Sequence, residues 1–234
     1  SDLTGGKADL TLSQLAQLAA EDGEKSHREL WMVASNLSMQ APQIFSAETT
    51  PDVPIWKAVR MSMSIPMFFA SVNYESSVMV DGGVTWNYPV DLFDDSRYLA
   101  PGDDALSLPA DYPTKRNETQ VYNKQTLGLR VATSDEIKAQ HDRAASLDGQ
   151  TAVEIKDITG YIGSLLEFML ESANNSHLHE NDWHRTVFIE ADGVKFTDFN
   201  LADSKVRQLV DSGRACTEEY FDWFNNPPAE CIPI

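Results

Sequence analysis

The chain has 234 residues, of which 42% are hydrophobic and 9% aromatic, so it can bury a core and lacks the composition of a disordered protein. Its 36 acidic and 18 basic side chains give a net charge of −18. This charge argues against nucleic acid and against anionic lipid as partners, because both need clustered Lys and Arg. No central apolar run approaches the roughly 20 residues of a membrane helix, so we expect a cytoplasmic protein, with peripheral membrane contact as an alternative.

The chain opens with a predicted helix followed by two predicted strands. Within "DLTLSQLAQLAAEDG", Thr11 and Gln14 have the spacing of a capping box, and Gly23 ends the helix. The continuous apolar run "ELWMVASNL" is typical of a strand buried on both faces of a parallel sheet. The segment "PQIFSA" is a shorter strand candidate.

A second helix and a short strand lead to an aspartate. The segment "PDVPIWKAVRMSMS" predicts a helix with Pro54 in its first turn and Pro66 beyond its end, and with Ile55, Ala58 and Val59 facing inward. The run "VMV" then predicts a strand that ends at Asp81, where two glycines follow. A buried strand that ends on a carboxylate followed by two glycines is a candidate for a catalytic or binding site.

The rest of the chain predicts two more strands and two more helices. A polar stretch from 94 to 125 is too long for an ordinary connection, and we interpret it as an insertion or a lid-like loop. The runs "TLGLRVA" and "RTVFIEA" predict buried strands on either side of a helix at about 151–173. A last helix begins with Asp203 or Ser204 as its N-cap, and the Pro-rich tail 226–234 follows the fold.

This alternation of strands and helices predicts an α/β layered domain with a largely parallel sheet. Ligands bind outside the carboxyl ends of the strands in such sheets, and Asp81 stands at one of those ends. The tripeptide Asp-Gly-Gly is a weak signal by itself, because Asp and Gly are also the residues of ordinary turns. A turn without catalytic function is therefore the competing interpretation.

Three short motifs around this aspartate resemble the second catalytic block of the patatin-like lipid acyl hydrolases. They are Ser64-Ile65-Pro66, Asp81-Gly82-Gly83 and Asn87-Tyr88-Pro89. In that family a helix leads into a Ser-Ile-Pro type of turn, a strand delivers the Asp, and an Asn-x-Pro segment follows. The resemblance spans roughly residues 8 to 225 and is most specific over 54–93. Met67 and Ala70 depart from it, since many members carry Gly and Pro there.

The resemblance implies a Ser–Asp dyad that cleaves carboxylic esters of lipids without a catalytic histidine, a cofactor or a metal. A serine attacks the ester carbonyl, and Asp81 takes its proton and later activates water. Pro66, Gly82, Gly83 and Asn87 support the loop that holds this aspartate. A free Asp has a pKa near 3.9, so burial that raises this pKa would improve the base at neutral pH.

The nucleophile of such a dyad is missing from the chain. The elbow pattern Gly-x-Ser-x-Gly needs two glycines four positions apart, and none of the 12 glycines form such a pair. A glycine-rich oxyanion loop is absent as well. The chain therefore looks like the C-terminal part, residues 1–225, of a three-layer patatin-like sandwich with a mostly parallel central sheet. We expect an N-terminal companion chain, cleaved from a common precursor, to carry the serine and oxyanion loop, and this chain alone to be inactive.

Other polar residues give weaker signals. Ser62 and Ser64 lie close to Asp81 in the inferred topology, but we expect both to bond backbone at the helix end. Arg185 begins a strand and is interpreted as a structural ion-pair partner. Three histidines lack the spacing of a metal site and are interpreted as surface residues: His177, His179 and His184.

Two functional alternatives stay open. A non-catalytic patatin-like module for binding or assembly would use Asp81 only in a turn and would be inert towards esters with every chain present. A different α/β acyltransferase would pass the acyl group to an alcohol or a thiol. The preferred interpretation is a hydrolase that acts on a lipid or another ester and has no nucleic-acid partner.

Overall fold

A computed structural model of the chain describes residues 9–23, 26–102, 107–108, 118–134, 137, 155, 157–176, 180–191, 193–194 and 200–226. The chain divides into two compact units. The first unit comprises Ser1–Pro89 and Val153–Leu178, and the second comprises Val90–Ala152 and His179–Ile234. The assignment of residues 1–225 to one patatin-like domain stays a prediction.

The first unit contains a four-stranded sheet and three helices: α1 Leu12–Asp22, β1 Met32–Asn36, β2 Ala41–Phe45, α2 Ile55–Ser62, β3 Val72–Tyr74, β4 Ser77–Asp81 and α3 Ile158–Ser176. The strand order is β2-β1-β4-β3, and all three pairings are antiparallel. In the central pairing, Ala34 of β1 lies opposite Asp81 of β4. The sheet therefore places the candidate aspartate at the end of an inner strand.

Local signals set the bounds of α1 as predicted. The Thr11 hydroxyl accepts the Gln14 N–H at 3.3 Å, and the Gln14 side chain accepts the Thr11 N–H at 3.2 Å, which completes the capping box. Gly23 closes the helix with a φ of 60°, in the left-handed region that glycine adopts without strain.

Strand orientation in the first unit differs from the expected, mostly parallel arrangement. Residues 37–40 alone join β1 to β2, and Glu75 and Ser76 alone join β3 to β4, with φ values of 47° and 64°. Connections this short join only antiparallel neighbours, since parallel strands need a long crossover. The α/β class is confirmed, and parallel pairing occurs in the second unit.

The core of the first unit lies between the sheet and its helices. Its most buried members are Leu12, Ala34, Phe45, Ala58, Met61 and Met79. Phe45 meets Tyr74 edge to face at 5.5 Å between ring centroids. The predicted inward position of Ala58 is confirmed, whereas Val59 is 41% exposed because Met61 takes the inward place on α2 instead.

The second unit pairs β5 Gly128–Ala132 in parallel with β6 Thr186–Glu190. The helix α4 Asp203–Asn225 packs against β6. Its N-cap is Ala202, which has no capping side chain, so the predicted cap at Asp203 or Ser204 is wrong by one or two residues. Asp203 lies inside the first turn, where its negative charge interacts favourably with the helix dipole although its side chain does not cap the helix.

Both ends of the polar stretch 94–125 are held together. The Ser96 N–H donates to the Thr119 carbonyl at 2.9 Å, and the Val121 N–H donates to the Asp94 carbonyl at 3.3 Å. The two described ends of the stretch therefore lie side by side. A lid function for it stays a prediction, and the tail 227–234 lies outside the described residues.

Within the described ranges, no helix combines the length and apolarity that crossing a bilayer requires.

Candidate active site

Asp81 is the last residue of β4, and its backbone is fixed from two sides. Its N–H donates to the Ser64 carbonyl at 2.9 Å, and its carbonyl accepts the Ser35 hydroxyl at 2.7 Å. The first bond ties the strand end to the turn after α2, and the second ties it to β1. The aspartate therefore stands on a rigid support.

The carboxylate of Asp81 is half-buried and caps the 3-10 helix Gly82–Val84. Its Oδ1 accepts the Gly83 N–H at 2.7 Å. Burial raises the pKa of Asp81 above its ordinary value of 3.8, and the Gly83 hydrogen bond lowers it in part. Helix α3 packs against the same 3-10 helix. The carboxyl is therefore a better match to general-base work than a solvated aspartate.

Gly82 is needed because the backbone passes very close to β1. A Cβ added at this position would lie 2.2 Å from the carbonyl oxygen of Val33. The backbone that Gly82 approaches so closely belongs to β1, and only a residue without a side chain fits there.

Replacing Gly82 by alanine is expected to lower the free energy of unfolding by about 3 kcal/mol, because the paired Val33 carbonyl cannot move aside. The measurement is urea unfolding followed by circular dichroism. Gly163→Ala is the matched control, since an added Cβ meets open space on α3, and we expect it to stabilise by about 0.5–1 kcal/mol. Equal stability of Gly82→Ala and the parent protein would refute the steric argument.

Gly83 separates the carboxylate from Asn87. A Cβ on Gly83 would lie 2.9 Å from Oδ1 of Asp81 and 2.7 Å from Oδ1 of Asn87. The structure thus brings together Asp81, both glycines and Asn87. Pro66 lies in the adjacent turn, whose link to Asp81 is the Ser64 carbonyl. The catalytic and supporting roles of these residues stay predictions.

Sequence reasoning missed the support that Ser35 and Thr85 provide. Ser35 is fully buried in β1, and its hydroxyl lies 2.8 Å from the Thr85 hydroxyl while it bonds the Asp81 carbonyl. The one available signal was a serine inside the otherwise apolar run "WMVASNL". A buried polar side chain of this kind requires a partner, and here the partner is the candidate site.

Ser64 has the structural role that the sequence predicted. It is fully buried, its hydroxyl donates to the Arg60 carbonyl, and it accepts from the Arg60 guanidinium, both at 2.5 Å. Since its proton is already committed to the backbone of α2, its hydroxyl is poorly placed to act as a nucleophile.

Met67 has a backbone conformation that suits glycine, and many patatin-like proteins carry glycine at the matching position. Its φ is 71°, and its side chain is 72% exposed. A side chain in the left-handed region costs about 1 kcal/mol, and little burial offsets that cost here. The departure from the family pattern is therefore a point of local strain.

Met67→Gly is expected to raise the free energy of unfolding by about 0.5–1 kcal/mol by releasing that strain. Met39→Gly is the control, because Met39 is 71% exposed and is not among the residues with positive φ. Glycine there raises the entropy of the unfolded chain without releasing strain, so we expect this variant to be less stable than the parent protein. Thermal unfolding compares the two variants. A loss of stability in both would show that Met67 is unstrained.

The expected ion-pair role of Arg185 is confirmed in the second unit. Its guanidinium lies 2.6 Å from Asp94 and 2.7 Å from Asp182, and all three residues are buried. The ring of His184 stacks on Trp223 with 5.7 Å between centroids, while His177 and His179 lie outside the described residues. In the part of the chain that the structure describes, no group of three or more His, Cys, Asp or Glu could hold a metal ion.

The fold is similar to that of a solved protein. VipD from Legionella pneumophila superposes with a TM-score of 0.51 at 17% identity, over 91% of this chain and 35% of VipD. Residues 17–94, which contain the second half of α1, all four strands of the sheet and the 3-10 helix after Asp81, match the patatin-like phospholipase family. This segment therefore matches the patatin-like family, and the resemblance found from its motifs is confirmed.

Individual relatives share parts of the chain. The "probable lipid hydrolase 463L" of Invertebrate iridescent virus 6 is 36% identical over 72 residues, which cover 31% of this chain and 25% of the viral protein. Uncharacterized protein R571 of Acanthamoeba polyphaga mimivirus is 47% identical over 68 residues, which cover 29% of this chain and 23% of the viral protein. The uncharacterized protein YqhO of Bacillus subtilis is 25% identical over 173 residues, which cover 72% of this chain and 47% of YqhO. The matches therefore span between about a quarter and a half of these relatives.

Proposed function

We propose that the protein containing this chain hydrolyses carboxylic esters of lipids, as a phospholipase A, a lysophospholipase or an esterase, with Asp81 as the base of a Ser–Asp dyad. The observation that carries the proposal is the half-buried carboxyl of Asp81 on a doubly anchored strand end, within the segment that matches the family. The family name and the printed name of the iridescent virus relative supply the substrate class.

The geometry supports a definite role for each oxygen of the carboxylate. The Gly83 N–H holds Oδ1, and we assign proton transfer to Oδ2. In the first step the serine oxygen bonds to the ester carbonyl carbon as its proton passes to Asp81, and the alcohol leaves with that proton. In the second step Asp81 takes a proton from water, the hydroxide attacks the acyl-serine, and the serine regains its proton.

We further propose that an N-terminal companion segment supplies the serine and the oxyanion loop, so that this chain alone is inactive. The absence of Gly-x-Ser-x-Gly from the 234 residues supports this. One face of β5 supports it too, since Leu129 and Val131 of the strand are 60% and 66% exposed and Leu127, the residue before it, is 42% exposed. Parallel strands are normally covered on both faces, so this strand is suited to a further packing partner. A cytoplasmic location stays an expectation.

Treatment with a serine-reactive fluorophosphonate, followed by peptide mass mapping, tests the proposal. We expect one adduct, on a serine outside these 234 residues and within a Gly-x-Ser-x-Gly pattern. An adduct on a serine inside the chain would overturn the division of the dyad. A protein that takes no label and hydrolyses no ester with every segment present would instead be the non-catalytic module.

A further inference from the structure

An exposed apolar surface lies on α2 and the turn that follows it. We define the α2 face by five side chains: Trp56, Val59, Met63, Met67 and Phe68. Their exposed fractions are 55%, 41%, 47%, 72% and 47% in that order. The first three recur at the i, i+3, i+7 spacing of one helix side, and the last two lie in the turn that follows. A contiguous apolar patch on a globular protein marks an interaction site.

The charges around the α2 face are unusual for this chain. Residues 53–74 contain two cations and no Asp or Glu, although 36 of the 234 residues are acidic. Carboxylates lose hydration when they approach a lipid surface, so their absence from this segment lowers the cost of such a contact, and the Asp9 carboxylate beside Trp56 is the exception. The cations are held by the protein, with Lys57 5.2 Å above the Tyr74 ring and Arg60 bonded to Ser64 and the Ala70 carbonyl.

Trp56 is oriented with its polar edge fixed. Its indole N–H donates to the Asp9 carboxylate at 2.9 Å, while more than half of the side chain stays exposed. An aromatic ring with a satisfied N–H and an exposed apolar surface suits the boundary between water and acyl chains. The neighbouring Met63 and Met67 add flexible apolar side chains that adapt to irregular surfaces.

We propose that the α2 face docks the enzyme on a neutral phospholipid surface, such as a phosphatidylcholine bilayer. The inference rests on the proposed function, because a lipid hydrolase must meet its substrate at such a surface. A neutral surface is favoured because a net charge of −18 repels anionic lipid. The α2 face is also next to Ser64 in the sequence, and the Ser64 carbonyl accepts the Asp81 N–H at 2.9 Å, which links the face to the strand end that carries the candidate base.

Flotation of the full protein with phosphatidylcholine vesicles tests this. The variant Val59→Glu/Met63→Glu introduces two carboxylates one helical turn apart, and we expect it to lower vesicle binding by about tenfold. Val206→Glu/Val210→Glu on α4 is the matched control, with the same spacing and exposed fractions of 44% and 56%. We expect this control to bind within about twofold of the parent.

Three outcomes would overturn the inference: the parent protein fails to float, both double variants lose binding equally, or Val59→Glu/Met63→Glu floats normally but no longer associates with the companion segment. The last result would make the α2 face a protein interface. Flotation needs no turnover, so the Asp81→Asn protein is included. If it floats but also hydrolyses esters normally, the proposed role of Asp81 fails while the docking inference stands.

Discussion

Asp81→Asn is expected to lower ester hydrolysis by the full protein about a thousandfold, since general bases contribute roughly 10²–10⁴ to the rate. An amide cannot take the serine proton, yet its oxygen can still accept the Gly83 N–H that holds the side chain. The loss therefore isolates the proton transfer from the geometry of the loop. The measurement is hydrolysis of a short-chain ester with every segment of the protein present.

The chain offers a closely matched control for this variant. Asp95 caps the 3-10 helix Ser96–Tyr98 by accepting the Arg97 N–H at 3.1 Å, as Asp81 caps Gly82–Val84. Asp95→Asn should leave hydrolysis within about twofold of the parent, because its carboxylate makes the same local bond without a catalytic role. If Asp81→Asn also stays within that range, Asp81 only builds a turn and the assignment is wrong.

The stability of Asp81→Asn carries a second, independent signature. Burial raises the pKa of Asp81, so the folded state binds a proton more tightly than the unfolded state does. Ionised Asp81 therefore costs stability above this pKa, and the cost disappears as the pH falls below the ordinary value of 3.8. The variant should be at least as stable as the parent near pH 7, with the difference shrinking in acid. Thermal unfolding across this pH range measures it.

Arg185→Met is expected to destabilise the protein by about 4 kcal/mol, because it leaves two carboxylates buried without their cation. Arg185 is 3% exposed, Asp94 is 3% and Asp182 is 0%. Removing one partner of a buried ionic cluster lowers the free energy of unfolding by more than the intact cluster contributes to it, because a buried charge is left uncompensated. Urea unfolding, monitored by tryptophan fluorescence, gives the free energy of unfolding.

The geometry explains why no other side chain should replace this arginine. Its guanidinium donates five hydrogen bonds to four oxygens: Nε and Nη2 bond Oδ1 of Asp182, Nη1 and Nη2 bond the two oxygens of Asp94, and Nη1 bonds the Asn123 carbonyl. The guanidinium also stacks 4.3 Å from the centre of the Tyr122 ring. Lysine keeps the charge but has three donors and no plane, so Arg185→Lys should recover only part of the loss.

Arg214→Met is the control for Arg185→Met. Arg214 lies 3.4 Å from Asp211 on α4, and the two side chains are 66% and 73% exposed. Exposed pairs of this kind contribute less than about 1 kcal/mol, so this variant should be nearly neutral. An Arg185→Met protein no less stable than Arg214→Met would show that the buried cluster does not stabilise the second unit.

Several features were accessible from the sequence because they depend on neighbours within a few residues. Thr11, Gln14 and Gly23 predicted both ends of α1, since capping bonds join residues three or four apart. The run before Asp81 predicted a strand that ends on a carboxylate, and the motifs around it predicted the patatin-like family. Arg185 was predicted as an ion-pair partner, although its partners were not named.

Only the tertiary structure decided how these pieces meet. Glu75 and Ser76 form the hairpin turn with positive φ but without the glycine or asparagine that signals one, so β3 and the antiparallel sheet were not anticipated. The contact of Gly82 with Val33 and the bond from Ser35 to Asp81 join residues more than forty positions apart. Such contacts depend on how strands pack against one another, which local patterns do not specify. The sequence by itself determined the helices, every strand but β3, the carboxylate and the family resemblance. Long-range packing decided the strand directions, the support of Asp81 and its raised pKa.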